Sequence, residues 1–71
     1  MKEIFFIIEE DNESGGYTAR AIGQSIFTDG ETVKELKTNI KEVLECHFEN
    51  EIDRPQIAHL HFIKDEILAL V

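Results

Sequence analysis

The chain has 71 residues, enough for one domain (1–71) but near the size at which a single apolar core is only just sufficient, so association between copies is expected. A composition of 42% hydrophobic and 31% charged residues is that of a folded chain and excludes the low-hydrophobicity pattern of disorder. Fifteen acids against seven bases leave a formal charge of −8, which argues against direct contact with a phosphate backbone and favours a basic protein as partner.

The longest apolar run, Ile4 to Ile8, is far too short to span a bilayer, so no membrane association is expected. Its β-branched and aromatic residues predict a strand with apolar neighbours on both faces, hence a central one. Glu9 to Gly16 is polar and closes on Gly15 and Gly16, a turn leading to an antiparallel second strand, Tyr17 to about Ile22. Gly23 allows a further reversal, and Gln24 to Thr28 reads as a short third strand, with Asp29 and Gly30 closing the meander.

The stretch from Thr32 to about Asn50 reads as the one long helix. Thr32 and Glu35 have the spacing of a capping box. Val33, Leu36, Ile40, Val43, Leu44 and Phe48 recur every three or four residues along one stripe, with most of the charged side chains away from it. Pro55 ends any helical continuation. Gln56 to Ile63 then alternates as a fourth strand, with Ala58, Leu60 and Phe62 on one face and Ile57, His59, His61 and Ile63 on the other. Ile67 to Val71 is an apolar tail, either a fifth strand of the same sheet or an arm reaching into a neighbouring subunit.

The order βββαβ, with a right-handed crossover through the helix, predicts an α+β domain: a four-stranded mixed sheet in the order 3-2-1-4 with one helix on one face. The opposite face would carry either Ile4, Phe6 and Ile8 or Phe5 and Ile7. An apolar patch of this kind predicts a homo-oligomer, a dimer or larger, and the interface is assigned to Phe5, Ile7, His59 and His61.

The pattern resembles the HicB antitoxin family. The likeness rests on the strand Ile4 to Ile8, on Glu13-Ser14-Gly15-Gly16-Tyr17, and on Asp29-Gly30-Glu31-Thr32 followed by Glu35, Leu36, Asn39, Ile40 and Glu42, about two-thirds of the chain. The resemblance implies a fold likened to a truncated ribonuclease H and a role in binding a small basic toxin, HicA, that cleaves messenger RNA. Two departures stand out. Family members usually carry a proline-containing segment where this chain has Ala21-Ile22-Gly23-Gln24-Ser25-Ile26, and many continue into a DNA-binding domain that is not expected here, so repression through operator DNA is not expected either.

Among chemistry-bearing residues, Cys46, His47, His59 and His61 are of zinc-ligating type, but they form no CxxC or HxxxH pair, and Cys46 and His47 diverge by about 100° around a helix. Cys46 is therefore read as a small buried group, and no metal or other cofactor is expected. Two histidines on one interface would make assembly sensitive to mild acid. Ribonuclease chemistry needs convergent carboxylates, whereas β1 offers acids only at its end, and the glycines lack phosphate-loop spacing, so no enzyme is expected.

Glu42, Glu45, Glu49, Glu51 and Asp53 follow one another without an intervening base, which is either a solvated face or a surface that steers a basic partner. Tyr17 and Phe27 are read as packing residues of the meander. With a single cysteine and no signal-peptide pattern, the expected location is the cytoplasm. The reading is a non-catalytic HicB-like protein-binding module. The alternative is a self-assembling structural or regulatory protein without a toxin, and a zinc-binding module ranks below both.

Overall fold

A computed structural model describes residues 2–70. The elements are β1 (Glu3–Glu10), β2 (Tyr17–Ala21), β3 (Phe27–Gly30), α1 (Val33–His47) and β4 (Ile57–Ile63). They build one mixed sheet in the order β3-β2-β1-β4, antiparallel at both meander pairings and parallel between β1 and β4, with α1 on one face. Fold class, strand order and the central place of β1 agree with the expectation from sequence.

Residues on β1 alternate, and α1 decides which set is buried. Ile4, Phe6 and Ile8 face the helix and join Ala19, Ala21, Ile26, Leu36, Ile40 and Leu44 in the core, while Phe5 and Ile7 point to the open face. Tyr17, Val43, Phe48 and Leu60 pack at the margin of that core.

Several boundaries differ from the sequence reading. Glu9 and Glu10, read as the start of the turn, continue β1 and pair with Thr18 and Tyr17, while β2 ends at Ala21 and β4 begins at Ile57. Two differences are larger. The third strand is Phe27–Gly30 rather than Gln24 to Thr28, because the reversal at Gly23 (φ 81°) takes in the residues after it, and Ala21 N–H closes it by donating to the Ile26 carbonyl (3.0 Å). Asp29 and Gly30, read as a turn, instead pair with Thr18 and Tyr17. The helix ends at His47, not near Asn50. Phe48 leaves helical geometry, and Arg54 donates to its carbonyl from Nε (3.3 Å) and Nη2 (3.1 Å), while Asn50 begins a turn of its own by accepting from Ile52 N–H (3.0 Å).

At the other end Thr32 caps the helix. Its hydroxyl accepts from Glu35 N–H at 3.0 Å, so this half of the capping box is present; the returning carboxylate bond is absent among the described residues.

The helix sits off-centre. It approaches β3 and β2 more closely than β1 or β4. Asn39 Nδ2 donates to the Asp29 carbonyl of β3 at 2.7 Å. A Cβ on Gly30 would stand 2.6 Å from the backbone nitrogen of Leu36, so only glycine lets α1 come this close. The consequence is that β4 is an edge strand whose residues, Leu60 apart, are exposed on both faces. Residues 64–70 form no strand, which removes the fifth strand of the same sheet from the alternatives for the tail; Val71 lies outside the described residues.

Candidate interaction surfaces

Three surfaces carry the residues singled out from sequence. The first is the sheet face opposite α1. Parallel pairing sets Phe5 beside His59 and Ile7 beside His61, so all four residues assigned to an oligomer interface lie together. Phe5 is 49% exposed and its ring stacks on the His59 imidazole, centroids 4.3 Å apart and 9° from parallel. His59 Nε2 also lies 3.2 Å from the Glu3 carboxylate.

The register extends this face across the sheet. Ile7 pairs with Arg20, and Arg20 with Phe27, so Phe27, Arg20, Ile7 and His61 form a row over four strands. Phe27, read from sequence as a packing residue, is 62% exposed on this face, whereas Tyr17 does pack on the core. The sequence signal for Phe27 was the alternation of β3, which becomes readable only once the strand starts at the right residue.

The second surface is acidic. Glu42, Glu45, Glu49, Glu51 and Asp53 are all exposed. The shorter helix keeps only Glu42 and Glu45 on α1, with Glu49 just beyond its C-terminus and Glu51 and Asp53 in the turn that follows. Space also supplies a base that the local sequence lacks: Lys2 Nζ is 3.3 Å from the Asp53 carboxylate. Glu31 and Glu35 at the helix start complement the positive end of the backbone dipole, but Glu45 in the last turn and Glu49 after it face the negative end. Their position is unfavourable for the helix itself.

The third is a groove of about 350 Å³ between α1 and β4. It is lined by Lys37, Ile40, Lys41 and Leu44 on the helix, Arg54, Pro55 and Gln56 in the loop, and Ala58 and Leu60 on the strand. Nothing in the sequence pattern pointed to it, because it arises from the helix's lateral position.

Cys46 is exposed on α1 rather than buried. Cys46 and His47 end the helix, while His59 and His61 face away from it, so the four are not brought together, and no cluster of three or more metal-ligating side chains forms among the described residues. No polar or charged side chain is buried among them either.

Asp11 is the carboxyl held below its usual range. Glu13 N–H and the Ser14 hydroxyl donate to it, each at 3.0 Å, and stabilise its charged form. It is fully exposed and braces the β1–β2 turn, where Gly15 has φ 77°. No helix among the described residues is long and apolar enough to cross a membrane.

Among curated proteins, the chain is similar to a UPF0150 protein of Thermotoga maritima, with 42% identity over 70 residues covering 99% of this chain and 96% of the relative. It is also similar to a UPF0150 protein of Archaeoglobus fulgidus, with 47% identity over 55 residues covering 78% and 79%. No family model and no solved structure matches the chain.

Proposed function

The chain belongs to the UPF0150 family, and from its surfaces we propose that it is a non-catalytic, HicB-like protein-binding module that self-associates through its open sheet face and receives a small basic protein on its acidic helix end. The observation that carries this reading is the placement of Glu45 and Glu49. Carboxylates at a helix C-terminus act against the backbone dipole; Lys41, four residues before Glu45, offers that one a local partner, but Glu49 has no base at helical spacing, and attraction of a cationic partner accounts for the placement. The resemblance to HicB antitoxins supplies the class of partner: a small basic toxin that cleaves messenger RNA.

The test is affinity capture of the tagged chain from its native cytoplasm at low and moderate salt. A small basic protein that is released as salt rises, and whose RNA cleavage stops when the purified chain is added, is the expected result. Recovery of the chain alone at every salt concentration would refute the toxin-binding role.

A second reading, self-assembly without a toxin, is favoured by the extent of the exposed apolar surface. Phe5, Phe27, Ile57, Phe62 and Ile63 expose large apolar side chains on the sheet, away from the acidic helix end.

A further inference from the structure

We propose that the segment after β4 (residues 64–70) of one copy docks in the α1–β4 groove of a second copy, with its main chain beside the free edge of β4. The proposal goes beyond the reading above and concerns the helix side of the sheet, not its open face.

The segment and the groove are complementary, and each lacks a partner within the chain. Ile67, Leu68 and Leu70 are 85%, 78% and 88% exposed, an apolar run held in water. The groove floor is apolar, from Ile40, Leu44, Ala58 and Leu60, and its rim carries Lys37, Lys41 and Arg54, three of only seven bases in the chain. Lys64, Asp65 and Glu66 precede the apolar run, leaving its approach net acidic with the two carboxylates nearest the run. On a molecule with a formal charge of −8, this basic rim is a scarce place for an acidic segment to settle, and it adjoins an apolar floor. β4 pairs with β1 on one side only, leaving an edge to which an extended segment can add.

A chain's own segment does not fill its own groove in this structure. The groove runs along β4 from Arg54 to Leu60, whereas the segment leaves from the far end at Ile63 with Ile67, Leu68 and Leu70 exposed. The molecule's dimensions agree with a segment that leads away: the radius of gyration is 14.0 Å, against about 11 Å for a compact chain of this length. Its longest extent is 54 Å, while an eight-residue strand such as β1 spans only about 27 Å.

Disulfide trapping on the full chain tests this, in a Cys46→Ser background. One protein carries Lys41→Cys, a second carries Leu68→Cys, and the two are mixed and oxidised. The expected result is a 41–68 interchain link in at least tenfold excess over 41–41 and 68–68 links, persisting in a Phe5→Glu background that separates copies joined at the open face. Random pairing of the three links would overturn the proposal. So would a Lys41→Cys/Leu68→Cys chain that closes its disulfide within a single copy. As a second readout, Leu68→Asp with Leu70→Asp changes only exposed side chains; circular dichroism should stay unchanged while the light-scattering mass falls by at least one 8.2 kDa copy. An unchanged mass would likewise overturn it.

Discussion

Replacing Gly30 by alanine tests the helix placement on which the groove and the exposure of β4 depend. The added methyl would meet Leu36 N at 2.6 Å, Leu36 Cα at 2.8 Å and the Glu35 carbonyl carbon at 3.1 Å, where carbon contacts are comfortable only from about 3.5 Å. These are backbone atoms, so no rotamer change relieves the overlap, and α1 must lift by nearly 1 Å. Leu36 is fully buried, so lifting it loosens the core as well. Overpacking of this kind costs about 2–3 kcal/mol. A 71-residue domain has a total stability of about 4–10 kcal/mol, so the change is severe, and it should lower Tm by about 10–20 °C. Gly23→Ala is the control. Nothing lies within 4 Å of its added Cβ, and only the positive φ of 81° is penalised, at about 1 kcal/mol. Urea and thermal unfolding followed by circular dichroism, at one fixed chain concentration so that association does not shift the midpoint, give both values. A Gly30→Ala protein within 0.5 kcal/mol of wild type, or less affected than Gly23→Ala, would refute the close seating of α1 on β3.

Three further outcomes are expected. Glu45→Gln should stabilise the chain by about 0.3–1 kcal/mol in thermal unfolding, since it removes a carboxylate from the negative end of the helix dipole, while weakening retention of a basic partner at low salt; a stabilised variant that holds its partner equally well would separate Glu45 from binding. Phe5→Glu should lower the solution mass measured by light scattering without loss of circular dichroism, because Phe5 is half exposed and outside the core cluster; an unchanged mass would exclude the open face as an interface. Asp11 should titrate below the usual 3.8 in a carboxyl NMR titration, and Ser14→Ala should raise the value. Because the folded pKa is depressed, its stabilising contribution is present above 3.8 and is lost as pH falls through the folded value, a loss that Asp11→Asn should remove.

The sheet order was legible because three strong local signals agree: the unbroken run Ile4 to Ile8, the Gly15-Gly16 turn, and the Thr32 cap preceding a periodic stripe. The errors fall where a tertiary contact sets a boundary. Phe48 continues the helical period, so the pattern runs past the true end, where Arg54, six residues on, holds the carbonyl of the non-helical Phe48. Burial of Cys46 was inferred from residue type alone, and its place on the exposed side of α1 follows from rotation about the Leu36, Ile40, Leu44 stripe. The Lys2–Asp53 pair joins residues 51 apart, beyond any local reading of the acidic run. Of the four residues assigned to the open face, His59 and His61 were legible from alternation, and the choice of Phe5 and Ile7 over Ile4, Phe6 and Ile8 needed the side on which the helix lies.

That side and lateral position have a geometric origin that connects the fold to its exposed surfaces. A helix about 10 Å across cannot cover four strands whose outer axes stand about 14 Å apart, so a single-helix domain of this order leaves one edge of its helix-side face open. Which edge is a question of local chemistry. Gly30 removes the side chain that would hold α1 off β3, and Asn39 ties the helix to the Asp29 carbonyl of the same strand. Each step toward β3 is a step away from β4, and this leaves Leu60 half-buried and Ala58 and Phe62 exposed. β4 nevertheless keeps an apolar residue at every position except His59 and His61, the composition of a covered strand. β4 thus has the composition of a covered strand while no second helix among the described residues covers it, and the open face and the α1–β4 groove are the two surfaces at which the proposed contacts would supply that cover.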